Sequence, residues 1–500
     1  MPHPNFYSEF SEALQSFLQI SLDDALARRS DTTPVEVAWN FATKCAATVP
    51  AYADCLTCNG IDVEKRQPDS FYSLPVLTRE NYINQYPLKA RCTNGDIHSC
   101  NMAAVSSGST GTPTVWPRSA ANELQVARRF EQVFADSFDA CTRSTLAVIC
   151  FAMGTWVGGL YSLDCCRHLT HRGMKVFAVA PGANLNEILR IVNELGPQFD
   201  QTVLLGYPPF LKDVVDEGIS RGINWREFHV KWVCAGEVFS EEWRSLMAGR
   251  LGTSDDAFCS ASIYGTADAG VLACETPLSI TIRRWFANNP AAAERLFGES
   301  RLPALFQYDP YHRFFECIDH ELLFTGDNGV PLVRYNIHDS GGLLEFRDMT
   351  DFLYANGFNI LAVAQQTNIT VRDLPFVWVF GRSNFTVSFY GANIYPENVT
   401  VALELQPICN WVTGKFVLHI DHDPNGNSNW VVEVELAVGT VPPDDLADLT
   451  AATIRSQLSR LNSEFAHYVP EAAQLPIVHL RPYRDGEWFP AGVKHRYTRR

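Results

Sequence analysis

The run Ser106-Ser107-Gly108-Ser109-Thr110-Gly111-Thr112-Pro113, with a further hydroxyl at Thr114, is where this chain most plainly carries chemistry. Short hydroxyl side chains donate to oxygen, and glycines let backbone N–H groups close around an anion, so such a loop can wrap phosphate oxygens. It is not a Walker loop, because the Gly-Lys-Ser/Thr ending is missing. Taken alone, the run also reads as a Ser/Gly surface linker. Further constellations follow along the chain. Ala235-Gly236-Glu237 comes after a strand-like run, so its backbone can edge a planar base. Tyr264-Gly265-Thr266-Ala267-Asp268 offers an aromatic face, a glycine for close approach and a carboxylate suited to Mg2+. Arg334-Tyr335-Asn336-Ile337-His338-Asp339 ends in an acid able to accept from both hydroxyls of a ribose. Gly381-Arg382 stands at a change of composition, and Gly492-Val493-Lys494 lies near the end of the chain. Each alone is weak, since a lone Asp is more often a cap or ion-pair partner and a terminal Lys is usually solvated. In this order they are much harder to obtain by chance.

The elements that must position these residues are legible from periodicity. The hydroxyl-rich run follows Met102-Ala103-Ala104-Val105, which reads as the end of a strand, where α/β proteins place phosphate sites. Residues 6–60 show helical spacing, and Pro75 opens the run Val76-Leu77-Thr78-Arg79-Glu80, in which Thr78 can cap a helix. Strands and helices then alternate from Leu146 to Arg250, which argues for a parallel sheet with helices on its faces. After about residue 275, the segments 320–325, 331–335 and 342–346 suggest antiparallel pairing. From Gly381 onward a smaller unit reads as strand (385–389), helix after Tyr395-Pro396-Glu397, strands 412–420 and 430–438, helix 444–461 and strand 477–480. Asp423-Pro424-Asn425-Gly426 marks a hairpin between the two middle strands. That is a βαββαβ-like order, hence a small α+β domain. No repeat or low-complexity segment is visible.

Composition bounds the function classes. Apolar residues make up 46% and charged residues 19% of the 500, enough to bury a sizeable core. The formal net charge of −16 argues against an extended nucleic-acid surface, which needs clustered cations. No apolar stretch reaches the length of a membrane span, and Met1-Pro2-His3-Pro4 does not open a signal peptide, so a cytoplasmic protein with no membrane partner is expected. The 14 cysteines lack a disulfide framework, and most are expected as buried thiols. Cys259, Cys274, His312 and Cys317 have irregular spacings for zinc.

The order of these motifs resembles the adenylate-forming superfamily of acyl-CoA synthetases, and within it the phenylacetate–CoA ligase branch, over roughly residues 70–500. The branch is suggested by Thr114, where most of the superfamily has lysine. It is supported by Met153-Gly154-Thr155-Trp156-Val157-Gly158-Gly159, Leu74-Pro75-Val76-Leu77-Thr78 and Gly391-Ala392-Asn393-Ile394-Tyr395-Pro396. The resemblance implies an α/β fold: a large N-terminal ATP- and acid-binding domain (1–381) with parallel and mixed sheets, and a small mobile C-terminal α+β, ferredoxin-like domain (382–500). It implies that a carboxylic acid attacks ATP to give an acyl-adenylate and pyrophosphate, and that CoA then displaces AMP. Ser106, Ser107, Gly108, Ser109, Thr110, Gly111 and Thr112 would clamp the β- and γ-phosphates. Ala235, Gly236, Glu237, Tyr264 and Gly265 would border adenine. Thr266 would touch the α-phosphate, Asp268 would bind Mg2+, and Asp339 would hold the ribose. Arg382 would contact the nucleotide from the hinge, and Lys494 would be the catalytic cation of the small domain. Phe151, Met153, Gly154, Trp156 and Gly158 would line the acid pocket, suiting a flat or slender apolar acid, or would simply pack helix on sheet.

Two departures stand out. Aspartate replaces the usual glutamate at Asp268, and the hinge reads Gly381-Arg382-Ser383-Asn384-Phe385 where the family has Gly-Arg-x-Asp-Asp. The C-terminal lysine also falls one position later than the family's Gly-Lys pattern. Transfer to an amine or a carrier protein instead of CoA, and a nucleotide-binding protein without catalysis, therefore stay open, as does a homodimer.

Overall fold

Stretches buried along their whole length build the frame, as expected of parallel strands covered on both faces. The computed structural model describes residues 4–27, 31–106, 114–155, 157–299, 301–382, 387–390, 392–422, 428–490, 495 and 497–499. Its strands are, in chain order, β1 (Met102–Val105), β2 (Val115–Arg118), β3 (Thr145–Ile149), β4 (Val176–Val179), β5 (Gln201–Gly206) and β6 (Lys231–Ala235). Then come β7 (Ser260–Thr266), β8 (Gly270–Cys274), β9 (Ala304–Gln307), β10 (Phe314–Ile318), β11 (Glu321–Gly326) and β12 (Leu332–Leu344). The series ends with β13 (Phe376–Arg382), β14 (Val387–Phe389), β15 (Ala392–Ile394), β16 (Val412–His422), β17 (Ser428–Leu436) and β18 (Ile477–Arg481).

Eleven of them form one sheet in the order β10-β11-β12-β13-β9-β8-β7-β6-β5-β3-β4. From β4 to β7 the pairing is parallel, and from β7 to β10 antiparallel. Alternation along the parallel strands splits the core into two faces. Ala147, Ile149, Val203 and Leu205 pack with the helices Ala120–Asp136 and Val157–His171. Leu146, Val148, Leu204 and Trp232 pack with the helices Leu185–Leu195, Pro208–Ser220 and Glu241–Leu251. The last of these starts where Ser240 accepts from the Trp243 N–H, and stops at Gly252 in the left-handed region.

Residues beyond 387 have a core of their own, with Phe389, Ile394, Val399, Phe416, Leu418, Trp430, Val432 and Ile454 at its centre. β16 and β17 pair antiparallel and β17 and β18 parallel, flanked by the helices Pro396–Glu404 and Leu446–Leu461.

Three details differ from the sequence expectation. β1 does not enter the main sheet: it pairs antiparallel with β2 alone, and the strands on either side of the hydroxyl-rich run form a separate two-stranded sheet. Segments 331–335 and 342–346 are not two strands but one long β12, and Phe346 already starts a helix. In the small unit the expected order holds, but β14 pairs with β15 in a ribbon, leaving three strands in the sheet instead of four.

Candidate active site

Among the described residues, Ala235, Gly236 and the run Tyr264–Asp268 stand at the C-terminal ends of β6 and β7, where the main sheet changes from parallel to antiparallel pairing. This is the crevice in which open α/β sheets bind ligands. β7 delivers Tyr264, Gly265 and Thr266 to it. Tyr264 is buried and lies nearly parallel to Phe306 (5.6 Å between ring centres, 23°) and to Phe315 (6.4 Å, 15°). Its hydroxyl donates to Asp339 Oδ2 at 2.7 Å, so β7 and β12 together fix one buried carboxylate. Asp339 sits opposite Arg382 in the register of β12 and β13, which brings the Gly381-Arg382 element to the same place through the backbone.

Beyond β7 the chain turns sharply into β8. The Thr266 hydroxyl donates to Asp268 Oδ1, and the Ala269 N–H reaches both Thr266 Oγ1 and Asp268 Oδ1 at 3.1 Å. Gly265 is obligatory here, since a Cβ would stand 2.6 Å from the Gly270 carbonyl oxygen. The Tyr335 phenol lies beside Asp268; burial first, and then that carboxylate, push its ionisation well above the usual range. One half-buried carboxylate suits Mg2+, which takes one or two acids and fills its shell with phosphate and water oxygens. Asp268 therefore fits the ion. Among the described residues no group of three or more His, Cys, Asp or Glu side chains forms a metal cage, so Cys259, Cys274, His312 and Cys317 do not gather.

Arg118, which the sequence reading passed over, joins this turn to the hydroxyl-rich hairpin. It ends β2, is 1% exposed, and donates to the carbonyls of Ala267, Asp268 (3.4 Å) and Asn328 (2.7 Å). Burying a guanidinium costs several kcal/mol, and three charge-assisted bonds of about 1.5–3 kcal/mol each offset that cost. At the hairpin's other end, the Ser106 N–H donates to the Thr114 carbonyl and the Thr114 N–H to Ser106 Oγ, both at 3.0 Å. Arg79 Nη2 donates to Thr114 Oγ1 at 2.9 Å. Ser107, Gly108, Ser109, Thr110, Gly111 and Thr112 lie outside the described residues, as do Trp156 and Lys494.

The segment expected to line the acid pocket is tied to β1. The Val105 N–H donates to the Thr155 carbonyl at 2.9 Å, tying the hairpin to the segment after β3. Phe151 meets Tyr207 edge to face at 5.2 Å. Gly236 (φ +86°) lies so close to Tyr207 that a Cβ would stand 2.5 Å from its ring. Met153 packs on Gly182, and Gly158 lies against the Phe151 ring. Ala235 ends β6 at the same edge. Glu237 turns the other way: its Oε2 accepts from the Tyr497 hydroxyl at 2.9 Å, a contact from the small unit that sequence reading gave no hint of. A separate crevice of about 200 Å³, between the helix Pro34–Thr48 and residues 310–314, contains none of these groups.

Neither a protein-family model nor a curated protein sequence matches the chain. Solved structures do. A 2-hydroxyisobutyryl-CoA ligase in the postadenylation state, in complex with R3-HIB-AMP, superposes with a TM-score of 0.63 at 13% identity, over 93% of this chain and 88% of that one. The fold is that of the adenylate-forming CoA ligases. The same ligase in an open conformation with 2-HIB-AMP and CoA gives 0.52 at 12% identity, over 93% and 90%. In its thioesterification state it gives 0.51 at 13% identity, over 93% and 88%.

Proposed function

We propose that the protein is an AMP-forming carboxylic acid–CoA ligase, acting on an aromatic or other apolar acid. The observation that carries this reading is the place where Arg118 ends. It roots β2, the strand that follows the hydroxyl-rich run, on the Ala267 and Asp268 carbonyls, so that strand is held against the Thr266–Asp268 turn, and Tyr264 of the same β7 holds Asp339. ATP would lie with adenine near Tyr264 and Gly236 and ribose hydroxyls on Asp339. An acid carboxylate oxygen then attacks the α-phosphorus while the bond to the pyrophosphate oxygen breaks. Thr266, held by Asp268 and the Ala269 N–H, would lie beside that centre. Mg2+ on Asp268, when bound, neutralises phosphate charge, and the rest is positioning and preorganised donors. In the second step the CoA sulfur attacks the acyl carbon and AMP leaves.

In this reading the N-terminal unit would run to residue 381 and the C-terminal unit from 382. The greater likeness to the postadenylation state than to the thioesterification state of the same ligase supports an arrangement of the two units suited to adenylation. Lys494, in the C-terminal segment that docks through Tyr497, would supply the cation for that step. Transfer to an amine or a carrier protein is the second reading, favoured by the loss of both hinge acids at Ser383-Asn384-Phe385. A screen of aryl, arylacetic and medium-chain acids, each with and without CoA, tests the assignment. CoA-dependent release of AMP is expected with one class of acid. Adenylate that accumulates unchanged in CoA but is consumed by an amine would move the protein to the second reading.

A further inference from the structure

We propose that the separate crevice between the helix Pro34–Thr48 and residues 310–314 is a second ligand site, taking a small carboxylate with an apolar body. It encloses about 200 Å³. At about 30 Å³ per water molecule, that is room for roughly seven waters or for one monocyclic acid. Its lining is apolar at Val37, Ala38, Phe41 and Phe314, and polar at Gln125 and Arg313. A mostly apolar surface with a few placed polar groups suits a hydrophobic body with one charged head. None of the residues assigned above to ATP or to the reacting acid lines it.

The charge around this crevice does not balance. Arg313 is 5% exposed, and its guanidinium donates to the His312 carbonyl (2.9 Å) and to Asn328 Oδ1 (2.6 Å). Its Nε–H, enclosed in protein, has no acceptor among the described residues. The Asn328 carbonyl accepts from Arg118 at 2.7 Å, so two buried cations meet at one asparagine. Every hydrogen bond these two arginines make goes to a carbonyl oxygen, and neither forms an ion pair among the described residues. Burial pulls the ionisation of Arg313 down to about 10, so it is still a cation at neutral pH.

Two acids are at hand. Asp327, on the lining, accepts from the Gly329 N–H at 3.0 Å. Asp309 lies between Arg129 (3.3 Å) and the His312 ring (3.0 Å), in the narrow continuation of the crevice past Gln125 and Arg313. Three guanidiniums, of Arg118, Arg129 and Arg313, thus stand against two carboxylates, and one positive charge is left over. Buried charges in proteins are ordinarily paired, and a carboxylate is the strong partner for a guanidinium. An acid in the crevice would supply the missing charge and cover the apolar lining with its body.

Calorimetric titration of the full chain with benzoate and with benzamide tests this, since the two differ in charge and hardly in shape. Benzamide should bind about ten- to a hundredfold more weakly, the worth of one charged hydrogen bond. Gln125→Glu places a carboxylate on the same lining. It is expected to weaken benzoate at this site by a similar factor, to raise the thermal midpoint by supplying the counter-charge, and to leave acid-dependent pyrophosphate exchange unchanged. Val37→Trp, which fills the space from the other helix without a charge, should weaken benzoate without raising the midpoint. Benzoate binding unchanged in both variants would overturn the proposal, as would benzamide bound as tightly as benzoate. Benzoate lost only together with exchange would overturn it too, by placing the acid in the reaction site. The titrations decide the crevice whether or not the protein adenylates an acid.

Discussion

Asp339 shows how one side chain is prepared for its task. It is buried, and Tyr264 holds one of its oxygens at 2.7 Å, so the carboxylate is oriented before any ligand arrives. Replacing Asp339 with Ala removes a charged acceptor worth about 1.5–3 kcal/mol per bond, so the KM for ATP should rise by one to two orders of magnitude. 2′,3′-Dideoxy-ATP should be a poor substrate for the unaltered enzyme, and initial rates with the two nucleotides check both statements. Equal use of both would remove Asp339 from the ribose. Tyr264→Phe should show a smaller rise in KM, since the acid remains but loses its guide.

At the scale of elements, close approach decides where the acid can sit. Gly236 follows β6 at a positive φ, and a methyl there would meet the Tyr207 ring at 2.5 Å. Gly236→Ala should therefore displace Tyr207 and with it Phe151, raising the KM for the acid more than that for ATP in steady-state kinetics. Behind β7, Glu241 ties two helices together. Burial would push its carboxyl up, but the charges of Arg244, Arg283 and Arg284 outweigh burial and hold it at about 2, against an ordinary 4.5. A carboxyl depressed in this way stabilises the fold above its unfolded value and loses that contribution as pH falls through its folded value. Denaturant unfolding should show about 3 kcal/mol lost between pH 4.5 and 2, and Glu241→Gln should flatten that limb while lowering stability at neutral pH.

Much of this was legible in the sequence. The alternation from Leu146 to Arg250 gave the parallel strands because fully apolar runs such as Val203-Leu204-Leu205 have no polar face to leave in water. Tyr264, Thr266, Asp268 and Asp339 drew notice by side-chain chemistry and by the order of their motifs, and the contacts Tyr264–Asp339 and Thr266–Asp268 show that they lie together in these pairs. Arg79 and Arg118 drew none. Their roles come from contacts across 35 and about 150 residues of chain, and no local pattern distinguishes an arginine on a carbonyl from one in solvent. The hairpin was misread as a sheet strand because four apolar residues look the same in either setting.

At the scale of the molecule, the small unit is docked by polar contacts spread over its face. Lys415 pairs with Asp213; Lys212 donates to the Val412 carbonyl (3.0 Å), Arg250 to that of Cys409 (2.8 Å), and Ser240 to Glu404. Such polar interfaces can part and re-form, unlike an apolar core. Asp213→Asn removes the ion pair that Lys415 makes across this interface. Adenylation should slow on the order of tenfold, while transfer from a supplied acyl-adenylate to CoA should be unchanged or faster. Single-turnover kinetics of the two steps separate these outcomes, and equal loss of both would indicate damaged folding instead. The whole account stands on the first step. Exchange of labelled pyrophosphate into ATP reports it directly, because only a reversible adenylation returns pyrophosphate to the nucleotide. Exchange is expected to require the acid, to proceed without CoA and to need about ten- to a hundredfold more ATP in Asp339→Ala, whereas no exchange with any acid of the screen, in a protein shown to bind MgATP, would contradict it.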